Sequence, residues 1–229
     1  MRDLRKAHFK PTPTWYEDAD TYWKAVPSSI GGMLGGLDKV HTPDIRDSHA
    51  FVTTLQSNPT LELSTKYACD CGAGIGRVTK HLLLPLFDRV DLVEQNPDFL
   101  LEARSSYLKH DELRIPDMFS IGLQSFAPPV GRYDMIWCQW VLSHLTDDDM
   151  VAFLVRCCHG LAPRGIVCVK ENVAKDGYVV DSYDSSVTRS SAIFERIFSA
   201  AGFKVVAKQF QTGFPHDLFE VCMWAIVST

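Results

Sequence analysis

The segment Asp70-Cys71-Gly72-Ala73-Gly74-Ile75-Gly76-Arg77 sets an acidic residue before glycines at alternate positions, directly after an apolar run. Glycine accepts positive φ and lets a ligand approach the main chain, so a strand running through such a turn into a helix is a place for a nucleotide-type cofactor. Alone the pattern is weak, because dinucleotide enzymes and plain structural turns use similar glycines. Asp70 narrows it. A carboxylate just before the first glycine repels a pyrophosphate and attracts the cationic group of an amino acid. Glu94 ends the next apolar run, about 20 residues past the glycines, where an acidic side chain takes ribose hydroxyls. Leu123-Gln124 then offers a polar contact for an adenine edge. The chemistry indicated is that of a nucleoside carrying a charged amino acid.

The elements that must position these groups are legible in the apolar spacing. Trp15, Ala19, Tyr22 and Val26 recur on one helical face, predicting a helix over Thr14 to Val26 that Pro27 ends. Gly31 to Gly36 reads as a mobile apolar loop, and Thr42-Pro43-Asp44 as a cap before a helix over Ile45 to Leu55. Residues 1–60 are thus expected to be a helical extension with a flexible loop, and 61–229 the main domain of one compact unit. From Tyr67, strands (Tyr67 to Cys71, Arg89 to Val93, Tyr133 to Cys138, Gly165 to Val169) alternate with helices (Arg77 to Leu84, Pro97 to Leu108, Asp147 to Leu161, Ser190 to Ala201). That alternation predicts a doubly wound α/β fold with a mostly parallel sheet. Gly202 caps the last helix, and Phe203 to Phe210 with Leu218 to Val227 predict a terminal antiparallel hairpin.

Composition agrees. The chain has 229 residues, 46% apolar and 22% charged, enough for one globular domain. A net charge of -5 provides no field for nucleic acid or an anionic membrane and favours a cationic ligand. The seven cysteines are scattered within apolar runs and read as reduced core thiols; neither Cys69 with Cys71 nor Cys157 with Cys158 has a second pair at zinc spacing, so no metal is expected. Met1 to Lys10 is mildly basic without a signal-peptide core, and no run reaches the ~18 apolar residues of a membrane span, which predicts a soluble intracellular protein.

With Gly160-Leu161-Ala162-Pro163-Arg164-Gly165 leading into the later strand, the chain resembles the seven-stranded methyltransferases that use S-adenosylmethionine. Base-modifying members hold a flipped amino group with an Asp/Asn-Pro-Pro-aromatic segment, where this chain reads Cys138-Gln139-Trp140-Val141. It offers instead Trp140, His144, Asn172, Asp181 and Asp184 at strand ends and following loops, which suit a cationic, peptide-like acceptor. Taken singly, Trp140 can be core, His144 can pack in its own turn, and Asp184 can cap a helix starting near Ser185.

Further segments make the resemblance specific: Thr21-Tyr22-Trp23-Lys24, Gly32-Met33-Leu34-Gly35-Gly36, Leu82 to Phe87, Ile136 to Val141, His144-Leu145-Thr146-Asp147 and Asp184-Ser185-Ser186-Val187. Across nearly the whole chain they are similar to the eukaryotic protein N-terminal methyltransferases, which modify the α-amine of proteins beginning Xaa-Pro-Lys or Xaa-Pro-Arg. The resemblance implies that Gly72, Arg77, Glu94, Gln95, Asn96, Leu123, Gln124 and Gln139 hold S-adenosylmethionine. It implies that Trp140 stacks on the acceptor's proline, Asn172 bonds its first peptide group, and Asp181 with Ser186 receives the third residue. Asp184 and His144 attend the reacting amine, Leu34 and Gly35 fold over the peptide, and Tyr22 and Trp23 offer aromatic faces to a methylated product. Two departures stand out: Phe219 replaces a family Tyr, removing a hydroxyl contact to the peptide, and the residues around Gln95 differ. A monomer in nucleus and cytoplasm is also implied. A methyltransferase for a small amine or another protein side chain, and a non-catalytic scaffold, are the competing readings.

Overall fold

The computed structural model describes residues 9–229; the reading of Met1 to Lys10 as neither signal nor span lies, up to residue 8, outside the described residues. Strands β1 (Tyr67–Cys71), β2 (Arg89–Glu94), β3 (Met118–Ser120), β4 (Tyr133–Gln139) and β5 (Leu161–Ala174) pair in parallel in the order β3-β2-β1-β4-β5. Beyond β5 the sheet turns antiparallel through β9 (Glu220–Ser228) and β8 (Phe203–Phe210), the predicted terminal hairpin. These make the expected seven strands. Two more, β6 (Tyr178–Asp181) and β7 (Ser186–Ser190), form an antiparallel hairpin that the apolar pattern does not reveal, because most of β6 is exposed. Val173 pairs with Glu220 of β9 and also with Arg189 of β7, so β7 lies on the β4 side of β5. It continues the row that β4 leaves after Gln139.

Alternation along the strands divides the core into two layers. Cys69, Cys71, Ile136 and Cys138 face α6 (Asp147–Gly160) and α7 (Ser191–Ala200). Ala68, Met135 and Trp137 face the other side, where Phe51, Val52 and Leu55 of α3 (His41–Gln56) pack with Leu82 and Leu83. α1 (Trp15–Ala25) is anchored at a distance: the Trp15 indole donates to the His144 carbonyl at 2.7 Å, and the Tyr16 hydroxyl donates to Asp149. Among the described residues no helix is long and apolar enough to cross a membrane.

Several local expectations are corrected. α3 begins at His41, so Thr42 and Pro43 lie inside its first turn and do not cap it, and Asp44 sits wholly buried there, held by Arg77, Gln139 and Lys170. The glycine loop contains a short helix, α2 (Ile30–Met33), whose first turn is capped by Ser29 accepting from the Gly32 N–H at 3.1 Å. Its backbone runs so close to Pro27 that a Cβ on Gly32 would lie 2.0 Å from that carbonyl oxygen. The helices expected over Arg77 to Leu84 and Pro97 to Leu108 are realised partly as π-helical turns, Thr79–Leu83 and Ala103–Tyr107, continuous with α4 (Leu84–Leu86) and α5 (Pro97–Glu102). No helix follows Ser185; β7 does, so Asp184 caps nothing there. Gly202 takes φ +81 directly after α7, as its reading as a cap requires.

Trp224 of β9 is fully buried against Phe194 and Phe198 of α7. Trp224→Ala should lower unfolding free energy by about 3–5 kcal/mol, read as a lower urea midpoint at unchanged slope.

Candidate active site

The turn after β1 and the turn after β4 flank the point where strand order reverses, the crevice in which doubly wound sheets place ligands. A cavity of about 340 Å³ opens there. Gly72, Gly74 and Gly76 all take positive φ, at +73, +55 and +84. A Cβ on Gly72 would lie 2.5 Å from Val141 Cβ, so the glycine turn and the turn after β4 touch through a position only glycine can occupy. Glu94 reaches the cavity from the end of β2, with Oε2 accepting the Gly74 N–H at 2.9 Å and Oε1 the Asn96 N–H at 2.8 Å. Burial holds Glu94 above the ordinary carboxylate range, against the pull of those N–H groups. Gln95, Leu123, Gln124 and Arg77 line the same cavity.

Asp70, Asn96 and Gln139, read from the sequence as cofactor contacts, are bonded within the protein. Asp70 does not face the cavity: Oδ2 accepts the Thr79 N–H at 2.9 Å and hydroxyl at 2.6 Å, and burial pushes its pKa up to about 6. Its Oδ2 is thus engaged by the following helical turn, outside the lining of the cavity. Asn96 caps α5, accepting the Asp98 N–H, and donates to the Trp23 carbonyl at 3.3 Å, tying α5 to α1. Gln139 lines the cavity, yet its amide accepts from Trp137 at 3.0 Å and donates to Asp44 at 2.8 Å. It is a wall, not a free polar contact.

At the other end stand Trp140, His144, Asn172, Asp184 and Ser186, all lining the cavity with Trp23 and Leu34. Trp140 takes φ +51, a costly conformation for a bulky residue and one that concentrates at functional sites. Its indole N–H and Asp184 Oδ1 are buried without a hydrogen-bond partner among the described residues. His144 donates from Nδ1 to the Ser185 carbonyl at 3.0 Å and accepts at Nε2 from the Trp23 indole at 3.1 Å. Burial lowers its pKa, so the imidazole is neutral at neutral pH with Nε2 as its acceptor. Phe219 is 46% exposed at the rim. Tyr22, Gly35 and Asp181 do not line the cavity. Tyr22 meets Tyr183 edge-on at 5.4 Å, and its hydroxyl is raised by burial, then by Asp184, Tyr183 and Asp181, which places both carboxylates around that ring. Asp181, exposed, accepts the Tyr183 N–H at 2.8 Å.

Sequence reasoning missed Asp44 and Glu171. Asp44, wholly buried, accepts from Arg77 at 2.7 Å and from Gln139, and pairs with Lys170 at 2.5 Å. Glu171, 1% exposed, accepts the Val141 and Leu142 N–H groups at 2.8 and 2.7 Å, and burial pushes it up to about 7. The available signal was Lys170-Glu171 directly after the apolar run Ile166 to Val169 of β5.

The parallel sheet that ends in an antiparallel pair, with its cavity between a glycine turn and the acid closing β2, defines an S-adenosylmethionine-dependent methyltransferase. Solved structures agree: a SAM-dependent methyltransferase of Leishmania major superposes with a TM-score of 0.85 at 39% identity, covering 93% of this chain and 83% of that one. Within that class the chain belongs to the AdoMet dependent proline di-methyltransferase family, whose pattern matches residues 12–227. Among curated relatives, N-terminal Xaa-Pro-Lys N-methyltransferase 1 of Bos taurus is 43% identical over 212 residues, 93% of this chain and 95% of its own. The protein of the same name from Danio rerio is 44% identical over 208 residues, 91% and 93% of the two chains.

The donor set fits the cofactor: a carboxylate for ribose hydroxyls at Glu94, a polar side chain for the adenine edge at Gln124, and the Arg77 guanidinium for a carboxylate, around one cavity. Gly72→Arg should abolish S-adenosylmethionine binding while circular dichroism still shows the folded α/β signal, since the side chain must enter at a left-handed position already touching Val141. Undiminished binding by calorimetry would place the cofactor elsewhere.

Proposed function

We propose that the enzyme methylates the free α-amine of proteins beginning Xaa-Pro-Lys or Xaa-Pro-Arg. The observation that carries this reading is the buried, unpartnered Oδ1 of Asp184 beside a neutral His144 at the end of the cavity opposite Glu94. A partnerless buried carboxylate oxygen is costly until a donor or cation meets it. The names of the relatives support the same acceptor.

Bound S-adenosylmethionine supplies an electrophilic methyl on a sulfonium. The protein's task is to present a neutral nitrogen lone pair to it and to absorb a proton and a positive charge. An α-amine, with a pKa of ~7.7–8.0, is far easier to present neutral than a lysine at ~10.4. Asp184 receives the nascent ammonium, its charge strengthened by exclusion of water. His144 takes the proton at Nε2 once the amine replaces the Trp23 indole as its neighbour. The Trp140 ring packs on the acceptor's proline, Asn172 bonds the first peptide group, and Ser186, with the exposed Asp181 outside the cavity, meets the third-position cation. Tyr22, Trp23, Leu34 and Gly35 cover the peptide, and Glu94, Gln95, Leu123, Gln124, Gly72 and Arg77 hold the cofactor. The same family likeness supports a monomer located in the nucleus and cytoplasm.

Two experiments test the reading. A Ser-Pro-Lys peptide should be methylated at its α-amine and a Ser-Pro-Glu peptide hardly at all, while Asp181→Lys shifts the preference toward Glu. If mass spectrometry shows no shift, Asp181 does not read the third position. Asp184→Asn and His144→Ala should each reduce kcat by ~10² to 10⁴ with cofactor affinity kept. The Asp184→Asn loss should persist at high pH, because prior deprotonation does not replace charge stabilisation. His144→Ala should recover above the amine pKa, and a flat profile would assign His144 to orienting the peptide.

A further inference from the structure

Glu171 lines the same cavity as the groups just assigned, and the acceptor end is built on it. After Gln139 the chain leaves β4 through Trp140, whose left-handed φ of +51 must be imposed from outside. One hold is main-chain: the Trp140 N–H donates to the Lys170 carbonyl at 3.0 Å, keeping the residue in register with β5. The other comes from the next residue of β5, where the Glu171 carboxylate accepts the N–H groups of Val141 and Leu142 at 2.8 and 2.7 Å. Those groups open the 3-10 turn Leu142–His144, so a buried carboxyl oxygen sits at its start, where free N–H groups point. Val141 is meanwhile pressed on Gly72. Trp140 lies one residue before this clamp and His144 two residues after it.

We propose that Glu171 is a positioning residue for methyl transfer: by accepting the Val141 and Leu142 N–H groups it fixes the left-handed turn that sets the Trp140 ring and the His144 imidazole at the acceptor end. Arg189 of β7 supports the far side of the same turn, donating to the Leu142 and Leu145 carbonyls at 3.3 and 2.6 Å. The turn is thus held by Glu171 of β5, which accepts its N–H groups, and by Arg189 of β7, which donates to its carbonyls. Without the carboxylate, two buried N–H groups lose their acceptor, and the strained residue is the one free to relax.

The proposal rests on the acceptor reading, so its test has a part that does not. Glu171→Leu keeps bulk and removes the acceptor; Glu171→Gln keeps an acceptor oxygen. Amide hydrogen exchange at Val141 and Leu142 should accelerate by about tenfold or more in Glu171→Leu, while exchange in β1 and β4 is unchanged. With a Ser-Pro-Lys peptide, kcat/KM should fall on the order of 10²-fold at a cofactor Kd held within about twofold, since small misplacements of positioning groups cost that much. Glu171→Gln should recover most of both. If Glu171→Leu does not fold, Glu171→Asp, one methylene too short for the clamp, carries the same comparison. Unchanged exchange at Val141 and Leu142, or cofactor affinity falling in step with kcat/KM, overturns the proposal. A wild-type enzyme inactive on the peptide, with the exchange result as expected, overturns the acceptor reading and leaves the clamp standing.

Discussion

The structure around the cofactor cavity depends on one buried carboxylate, Asp44. It has no exposed surface and meets Arg77 from the glycine turn, Gln139 from the end of β4 and Lys170 from β5. A charge in that setting is tolerable only when paired and bonded, and removal of one partner leaves another charge stranded. The three elements that wall the cavity are therefore tied to α3 by electrostatics that do not permit independent movement. Lys170 extends the network, donating to Ser48 at 2.8 Å and to Gln211 at 2.6 Å. Gln211 and Thr212 bond to Asp47, one helical turn along from Asp44, so the connector that carries Phe214, Leu218 and Phe219 to the rim is fastened to the same helix face.

Polar atoms at the two ends of the cavity are treated differently. Near the glycine turn Glu94 is already bonded to main-chain N–H groups, which preset its orientation before a ligand arrives. At the acceptor end Asp184 Oδ1 and the Trp140 indole N–H lack partners among the described residues, and the His144 ring bonds to Trp23 and Ser185, residues of two other segments. Preset groups lower the cost of ordering a ligand, whereas unsatisfied ones gain most when it comes. The two ends thus suit a tightly held resident and a visitor.

Most of the sheet was legible from the alternation of strands with helices because β1, β2, β4 and β5 each carry a short buried run rich in apolar residues. β3 is three residues long and half exposed, and β6 shows Val179 and Val180 to solvent, so neither carries a periodic signal. The cavity-lining residues that could be read from sequence were those next to a glycine turn or a strand end. Asp44 and Glu171 escaped because an acidic residue reads as surface unless its partners are known, and those partners are distant: Arg77, Gln139 and Lys170 for one, a strained turn for the other. Asp70 misled for the converse reason. Its position fits a ligand contact, but a helical turn nine residues on takes its charge first.

The N-terminal segment supplies Tyr16, Ala19, Trp23, Met33, Leu34, Leu37 and Val40 to the cavity wall, and Met33 lies so close over Gly74 that a Cβ there would meet its sulfur at 2.3 Å. The sheet and its two cores contain none of these residues in their strands. The segment before His41 therefore roofs a chamber whose floor and reacting groups belong to the sheet and its loops: a polypeptide starting at His41 would retain α3 in the core yet leave the cofactor chamber without that roof. A lineage could then remodel that roof, and with it the range of acceptors, while the sheet beneath stayed under quite separate selection for stability.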